Sequence, residues 1–262
     1  MSTSVNVKNL FGNALAEGSL SAASIAALDV EDIGAQIQAG LGVPVDDVKA
    51  SEVLLLSIIV DDTGSIRGGG GEQAVRDGHN LVLQALTDTK QSDGILVHVR
   101  YLSGNVLTPY TFLSAAPKMD ATNYTAYLGH TPLYDQTLIF LGTVMAKAQE
   151  FTNNGVPVRT VTLIITDGGD NSSKKGAAAV AKVVKDMTMA EMHIIAGMGI
   201  DDGYTNFREV FAKMGLSPNL ILVPSNDPSS IRREFQVFSR SAVRASQSAK
   251  SFSQVAAGGF GK

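Results

Sequence analysis

The sequence predicts an α/β protein: a doubly wound, mostly parallel six-stranded sheet with one antiparallel edge strand and a short helical N-terminal extension. Three observations carry this. Val53–Val60 and Val161–Thr166 are runs of strand-forming, largely apolar residues, the mark of strands buried on both faces of a parallel sheet. Stretches of helical periodicity alternate with such runs, at lengths that cover a sheet on both sides. Each of the two runs also ends in an acidic loop, at the position where open α/β sheets gather their ligands.

The elements follow in order. Residues 20–28 and 32–41 are Ala-rich, with apolar positions at Ile25, Leu28, Ile33, Ile37 and Leu41. They predict two short helices, closed by a turn at Gly42-Val43-Pro44, that either pack on the flank of the domain or form an arm for a partner protein. After the strand Val53–Val60, residues 71–86 place Ala74, Val75, Gly78, Leu81, Val82, Ala85 and Leu86 on one helical stripe. Residues 95–102 read as a strand, and Ser103-Gly104-Asn105 as a tight turn into 106–113, which gives the antiparallel edge. Residues 132–151 are helical, with Pro132 at the first position and Thr131 as the cap. The strand Val161–Thr166 comes next, then a helix over 174–189 carrying Val180, Val183, Val184 and Met187. Strands at 192–200 and 220–223 flank a helix around 207–214. A final helix runs from Ile231 to about Phe252, with Phe235, Phe238 and Val243 inward, and residues 256–262 fray. The chain divides into an extension over 1–50, a domain over 51–240, and a basic helix end and tail over 241–262. In a sheet of order 3-2-1-4-5-6 the two acid-tipped strands are neighbours at the switch point.

The loops are the informative part. Asp61-Asp62-Thr63-Gly64-Ser65 puts a carboxylate and two hydroxyls after the first buried strand, and Asp167-Gly168-Gly169-Asp170-Asn171 follows the second. Between them lies Gly129-His130-Thr131-Pro132-Leu133. Small hard oxygen donors suit Mg²⁺ or Ca²⁺ better than Zn²⁺ or copper. Asp, Thr and Ser at a strand-to-helix junction are also ordinary caps and turn formers. Thr131 in particular can turn its hydroxyl to the helix N–H groups or outward to a metal.

Asp61, Thr63 and Ser65, then Thr131, then Asp167, stand in the order of a known motif. Over residues 50–240 the chain resembles a von Willebrand factor A (VWA) domain, a Rossmann-like fold, with a complete metal-ion-dependent adhesion site (MIDAS). Thr63 stands where Ser is commoner, which keeps the hydroxyl. The resemblance implies that Asp61, Thr63, Ser65, Thr131 and Asp167 hold Mg²⁺ (or Mn²⁺ or Ca²⁺), and that the metal accepts an Asp or Glu from a partner protein. It also implies an adaptor role, with AAA+ ATPases and phosphosignalling proteins among the partners of such domains, and a last helix that shifts on binding. The stretch Phe235 to Ser248 is similar to the C-termini of bacterial VWA proteins of tellurium-resistance and stress-response operons.

Composition narrows the remaining classes. There is no cysteine, hence no disulfide framework, thiolate metal site or cysteine nucleophile. The first residues lack a signal-peptide pattern and no apolar run spans a membrane, so a cytoplasmic protein without membrane contact is expected. From Ser229 onward six basic residues face one acidic, a segment of +5 that leaves the rest of the chain at −9. Those charges sit among Ser and Ala without aromatics for base stacking, which suits a solvated helix face better than nucleic-acid binding.

Other signals are weaker. The glycines at 68–71 begin too late after the strand for a dinucleotide loop, and no phosphate-loop Lys-Ser/Thr follows. They are expected to give a mobile rim. His79, His98, His130 and His193 have no metal-ligand spacing. Asp170 and Asn171 either support the metal site or cap the next helix, and Asp62 is expected to face away. The enzyme rival is a haloacid-dehalogenase-like Mg²⁺-dependent phosphohydrolase, which needs a second carboxylate two residues from the first. Thr63 and Ile59 occupy those positions, so no catalytic residues and no enzymatic activity are expected. A structural VWA scaffold with an empty site is the remaining alternative.

Overall fold

The computed structural model describes residues 6–89 and 91–247. It has the expected architecture. The strands are β1 (Val53–Val60), β2 (Ile95–Tyr101), β3 (Val106–Phe112), β4 (Val158–Thr166), β5 (His193–Gly199) and β6 (Ile221–Leu222). They form one six-stranded sheet in the order β3-β2-β1-β4-β5-β6. Only the β2–β3 pair is antiparallel. This is the Rossmann-like sheet of VWA domains, with β1 and β4 adjacent at its centre.

Helices cover both faces. One layer is α4 (Gly71–Thr87) with α8 (Pro228–Gln247). The other holds α1 (Val7–Ala16), α2 (Ala22–Leu28), α3 (Val30–Gly40), α5 (Leu133–Asn153), α6 (Ala177–Met189) and α7 (Phe207–Lys213). Because strand side chains alternate, Leu54, Leu56, Ile58 and Val60 of β1 enter the core under α4 and α8, while Ile59 joins the core of the other layer. In the first of these cores, Gly78 lets α4 close onto α8: a Cβ there would lie 2.0 Å from Cδ2 of Phe235.

Several elements differ from expectation. The extension has three helices instead of two. The additional one, α1, places Val7, Leu10, Phe11 and Ala14 in the core, and the Asn6 carboxamide oxygen caps it by accepting from Lys8 N at 2.9 Å. Helix α6 begins at Ala177, three residues late, because residues 170–175 serve the preceding helix as described below. The glycine run belongs to a 3₁₀ turn over Gly64–Gly70, which carries the chain from β1 into α4. Strand β6 has two residues instead of four. The expected end of α8 near residue 252 and the fraying expected over 256–262 lie outside the described residues.

The two sheet edges differ. At the β3 edge the chain leaving α3 lies against the strand, with Val43 N donating to Tyr110 O at 2.8 Å. Gly42 makes the approach possible: its φ is 58°, and a Cβ would sit 2.0 Å from Tyr110 O. Buried Lys147 of α5 donates to Val43 O, and its charge is matched by Glu150 at 2.7 Å. At the other end of the sheet β6 is the terminal strand, and Ile221 N donates to Pro218 O of the turn that leads into it.

Candidate metal centre

Of the five residues singled out by the sequence, Asp61, Thr63, Ser65 and Asp167 meet at the carboxyl ends of β1 and β4, and Thr131 is brought next to Gly168, which follows Asp167. The β1–β4 register, which pairs Val60 with Ile165, puts Asp61 beside the end of β4, and Asp61 N donates to Ile165 O at 2.9 Å. Ser65 Oγ lies 3.0 Å from both Thr63 Oγ1 and an Asp167 carboxylate oxygen. Thr63 Oγ1 is 3.4 Å from the same oxygen. Asp61 is fully buried below this cluster. One of its carboxylate oxygens accepts from Thr63 N at 2.9 Å and the other from Thr166 Oγ1 at 2.6 Å.

Thr131 arrives on a separate loop. Asp62 O accepts from Tyr127 N and Leu128 N, and Gly64 N donates to Leu128 O at 3.0 Å. These bonds stitch residues 127–128 to the Asp61 loop. Asn171 then grips Thr131 from both sides: its side chain accepts from Thr131 N at 2.7 Å and its own N donates to Thr131 O at 3.1 Å. Thr131 Oγ1 comes within contact distance of the position a Cβ on Gly168 would take, 3.9 Å.

Thr131 is not the cap of α5. Pro132 holds that position, without a side-chain cap bond. The open N–H groups of the first turn are taken across the loop instead: Ser173 Oγ accepts from Tyr134 N and Asp135 N, both at 3.0 Å. Asp170 accepts from Ser173 Oγ and from Tyr134 N at 3.3 Å. In return the Asp135 carboxylate accepts from Lys174 N and Lys175 N. The helix has no claim on the Thr131 hydroxyl, which makes no hydrogen bond among the described residues although Thr131 is only 5% exposed. Asn171 and Asp170 therefore support the site loop, and neither caps α6, whose cap is Gly176. Asp62 faces away, accepting from Ser103 N at 2.9 Å.

The electrostatics favour a cation. Burial, and next the charge of Asp61, push the Asp167 carboxyl up to about 6. Burial raises Asp62 as well. The Tyr124 hydroxyl, which donates to Asp61 O at 2.6 Å, is raised by burial and then by Asp61, Asp62 and Asp167. Among the described residues no Lys, Arg or His nitrogen comes within 4.0 Å of these three carboxylates. Buried negative charge without a partner is costly, and a divalent ion would relieve it. The donor set fits a hard cation: two carboxylates and three hydroxyls, one of them unclaimed. No group of three or more His, Cys, Asp or Glu is placed to hold a metal among the described residues, so any ion here would rest largely on hydroxyl oxygens.

Sequence reasoning missed Ser173 and the support given by Thr166. Thr166 was visible within the Ile-Thr-Asp-Gly stretch. Ser173 carried no local signal, because its partners lie 38 and 39 residues away in the chain.

No family model and no curated protein sequence matches the chain. Solved structures match its fold. One is the pilus adhesin SpaC from Lactobacillus rhamnosus GG in an open conformation, with TM-score 0.55 and 15% identity over 74% of this chain and 30% of that one. Another is a von Willebrand factor type A protein from Catenulispora acidiphila, with TM-score 0.52 and 17% identity over 74% and 43%. A third is proximal thread matrix protein 1 from the mussel byssus with a zinc-occupied MIDAS motif, with TM-score 0.51 and 14% identity over 75% and 47%. The matched region spans less than half the length of each of these proteins.

Proposed function

We propose that this VWA-fold chain is a divalent-cation-dependent protein-binding module whose metal accepts an acidic side chain from a partner. The observation that carries the reading is the unclaimed hydroxyl of Thr131, a residue only 5% exposed, next to Gly168 in the loop that follows Asp167, together with two buried carboxylates that lack a cation. Thr63, Ser65 and Thr131 would hold the ion through hydroxyls, with Asp61 and Asp167 acting directly or through water. Such an ion supplies an electron-poor position open to a partner's carboxylate. Mg²⁺ suits this set best, because it takes six oxygens and keeps waters that a ligand can replace. The mussel protein holds zinc at its MIDAS motif, which supports metal binding in kind; the hard donors here favour Mg²⁺ or Mn²⁺.

The finer proposal is an adaptor in the cytoplasm, without enzymatic activity, that docks an acidic residue of an AAA+ ATPase or a phosphosignalling protein. The bacterial tellurium-resistance and stress-response setting rests on the short similarity around Phe235 to Ser248. Among the described residues no helix is long and apolar enough to cross a membrane.

Titration calorimetry with Mn²⁺ and Mg²⁺ tests the metal. Wild type is expected to bind one ion, and Asp61→Ala to bind none. Water-proton relaxation by bound Mn²⁺ then tests the open position, since a glutamate-bearing peptide that fills it lowers the signal and its glutamine counterpart does not. Undiminished metal binding by Asp61→Ala, or none by wild type, overturns the reading. Mg²⁺-dependent hydrolysis of p-nitrophenyl phosphate that disappears in Asp61→Ala would replace it with the phosphohydrolase.

A further inference from the structure

A second surface lies at the open edge of the sheet, and nothing in the metal-site reading uses it. A groove of about 760 Å³ runs between α7, β6 and α8. Its floor includes Ile221, Leu222, Val223 and Val237, and its rim carries Arg208, Arg233 and Arg240.

Three consecutive residues, 221 to 223, line this groove. Neighbouring side chains on a strand point to opposite faces, and Ile221 and Leu222 are only 5% and 7% exposed. What they offer the groove is therefore mainly backbone. Strand β6 ends the sheet; its Ile221 N is already held by Pro218 O, so an added strand would pair with the edge backbone beyond that N–H. The opposite edge, by contrast, is closed by Val43 on Tyr110.

The charge around the edge is mainly positive, three arginines against one glutamate. Arg208 and Arg240 form no ion pair among the described residues, while Arg233 pairs with its neighbour Glu234 at 3.9 Å and donates to Ser230 Oγ at 3.1 Å. Glu234 is the one acidic residue lining the groove. Arg208 stands on α7 and the other two arginines on α8, on opposite sides of β6. The chain as a whole is at −4, so this cationic strip runs against its general charge. An unpaired strand edge recognises an extended backbone, and flanking guanidinium groups recognise carboxylates beside it.

We infer that the β6 edge is a docking site for an acidic, extended peptide segment of a partner protein, which adds to the sheet as a strand between Arg208 on one side and Arg233 and Arg240 on the other. The segment carries Asp or Glu along its length, because arginines wait on both faces. The site needs no metal and is independent of the proposed Mg²⁺ centre.

The probe is a fluorescein-labelled peptide of four Thr-Glu repeats, followed by anisotropy at low salt and in EDTA. Saturable binding is expected, with at least tenfold loss for the double variant Arg208→Glu/Arg240→Glu. Both residues are exposed on helices, so the fold is expected to survive, and a thermal melt checks it. A peptide N-methylated at alternate residues keeps its charge but cannot pair, and is also expected to bind at least tenfold more weakly. Hydrogen exchange should slow at Val223 when the unmodified peptide is bound, since Ile221 N is already bonded to Pro218 O. Equal binding of the N-methylated peptide would overturn strand addition. Equal binding by the double variant, no binding at all, or tighter binding of single-stranded DNA or phosphatidylserine vesicles would overturn the peptide site. Loss of binding in EDTA would overturn its independence from the metal centre.

Discussion

At the residue scale, Thr131 and Thr166 separate what serves the fold from what is left for a ligand. Thr166 Oγ1 donates its one proton to Asp61 at 2.6 Å, in competition with Gly168 O at 2.9 Å, and accepts from Gly168 N. Removing that hydroxyl leaves buried groups unsatisfied, so Thr166→Val should cost about 1–3 kcal/mol in urea unfolding. The Thr131 hydroxyl satisfies no described group. Thr131→Val should therefore keep stability within about 0.5 kcal/mol of wild type, while Mn²⁺ affinity in calorimetry falls about tenfold or more, the loss of one directly bound oxygen among the roughly six that Mg²⁺-like ions take. A large loss of stability in Thr131→Val would mean that the hydroxyl is structural. Gly78 tests packing instead: Gly78→Ala drives a methyl into Phe235 and should cost about 1–3 kcal/mol. The ligand set itself was readable because Asp61, Thr63 and Ser65 sit together and Thr131 and Asp167 follow in order. The release of Thr131 was not readable, since it depends on Ser173, which reaches the same helix end from a distant loop.

At the element scale, the strands were legible because a fully buried parallel strand leaves an apolar run of its own length. Helix α1 was not. Gly12 and two asparagines dilute its pattern, although Val7, Leu10, Phe11 and Ala14 keep the spacing of a buried stripe. Its Phe11 is 2% exposed, in the same core as Leu138, Leu141 and Met145 of α5. Phe11→Ala should accordingly cost about 3–5 kcal/mol by urea unfolding; a cost under about 1 kcal/mol would show α1 to be a detachable arm. The late start of α6 has a tertiary cause as well, because residues 170–175 spend their polar groups on α5. Local propensity says nothing about a cap supplied from another element.

At the scale of the whole molecule, acid should weaken the fold through its buried imidazoles. Burial lowers His79, His98 and His193 to about 4 from a usual 6.5. Between those values the unfolded chain binds protons that the folded chain refuses, so stability is present above pH 6.5 and is lost as pH falls towards 4. At about 1.4 kcal/mol for each pH unit and each group, three imidazoles amount to several kcal/mol. Asp167 and Asp62 work the other way in metal-free protein, since their raised carboxyls take up protons on folding, Asp167 below about 6, but they are two groups against three. The urea midpoint should fall steadily from pH 7 to 4.5; a flat profile would contradict neutral burial of the histidines. The unequal edges of the sheet also decide how the molecule can grow. With β3 covered by its own chain and β6 open, copies that joined through their strands could meet only open edge to open edge, a two-fold pairing that closes on itself. A fibre needs two adhesive ends, and this sheet has one. The arginines narrow the choice further, because a second copy would bring its own to the same seam, and like charges facing one another favour a stranger over a twin.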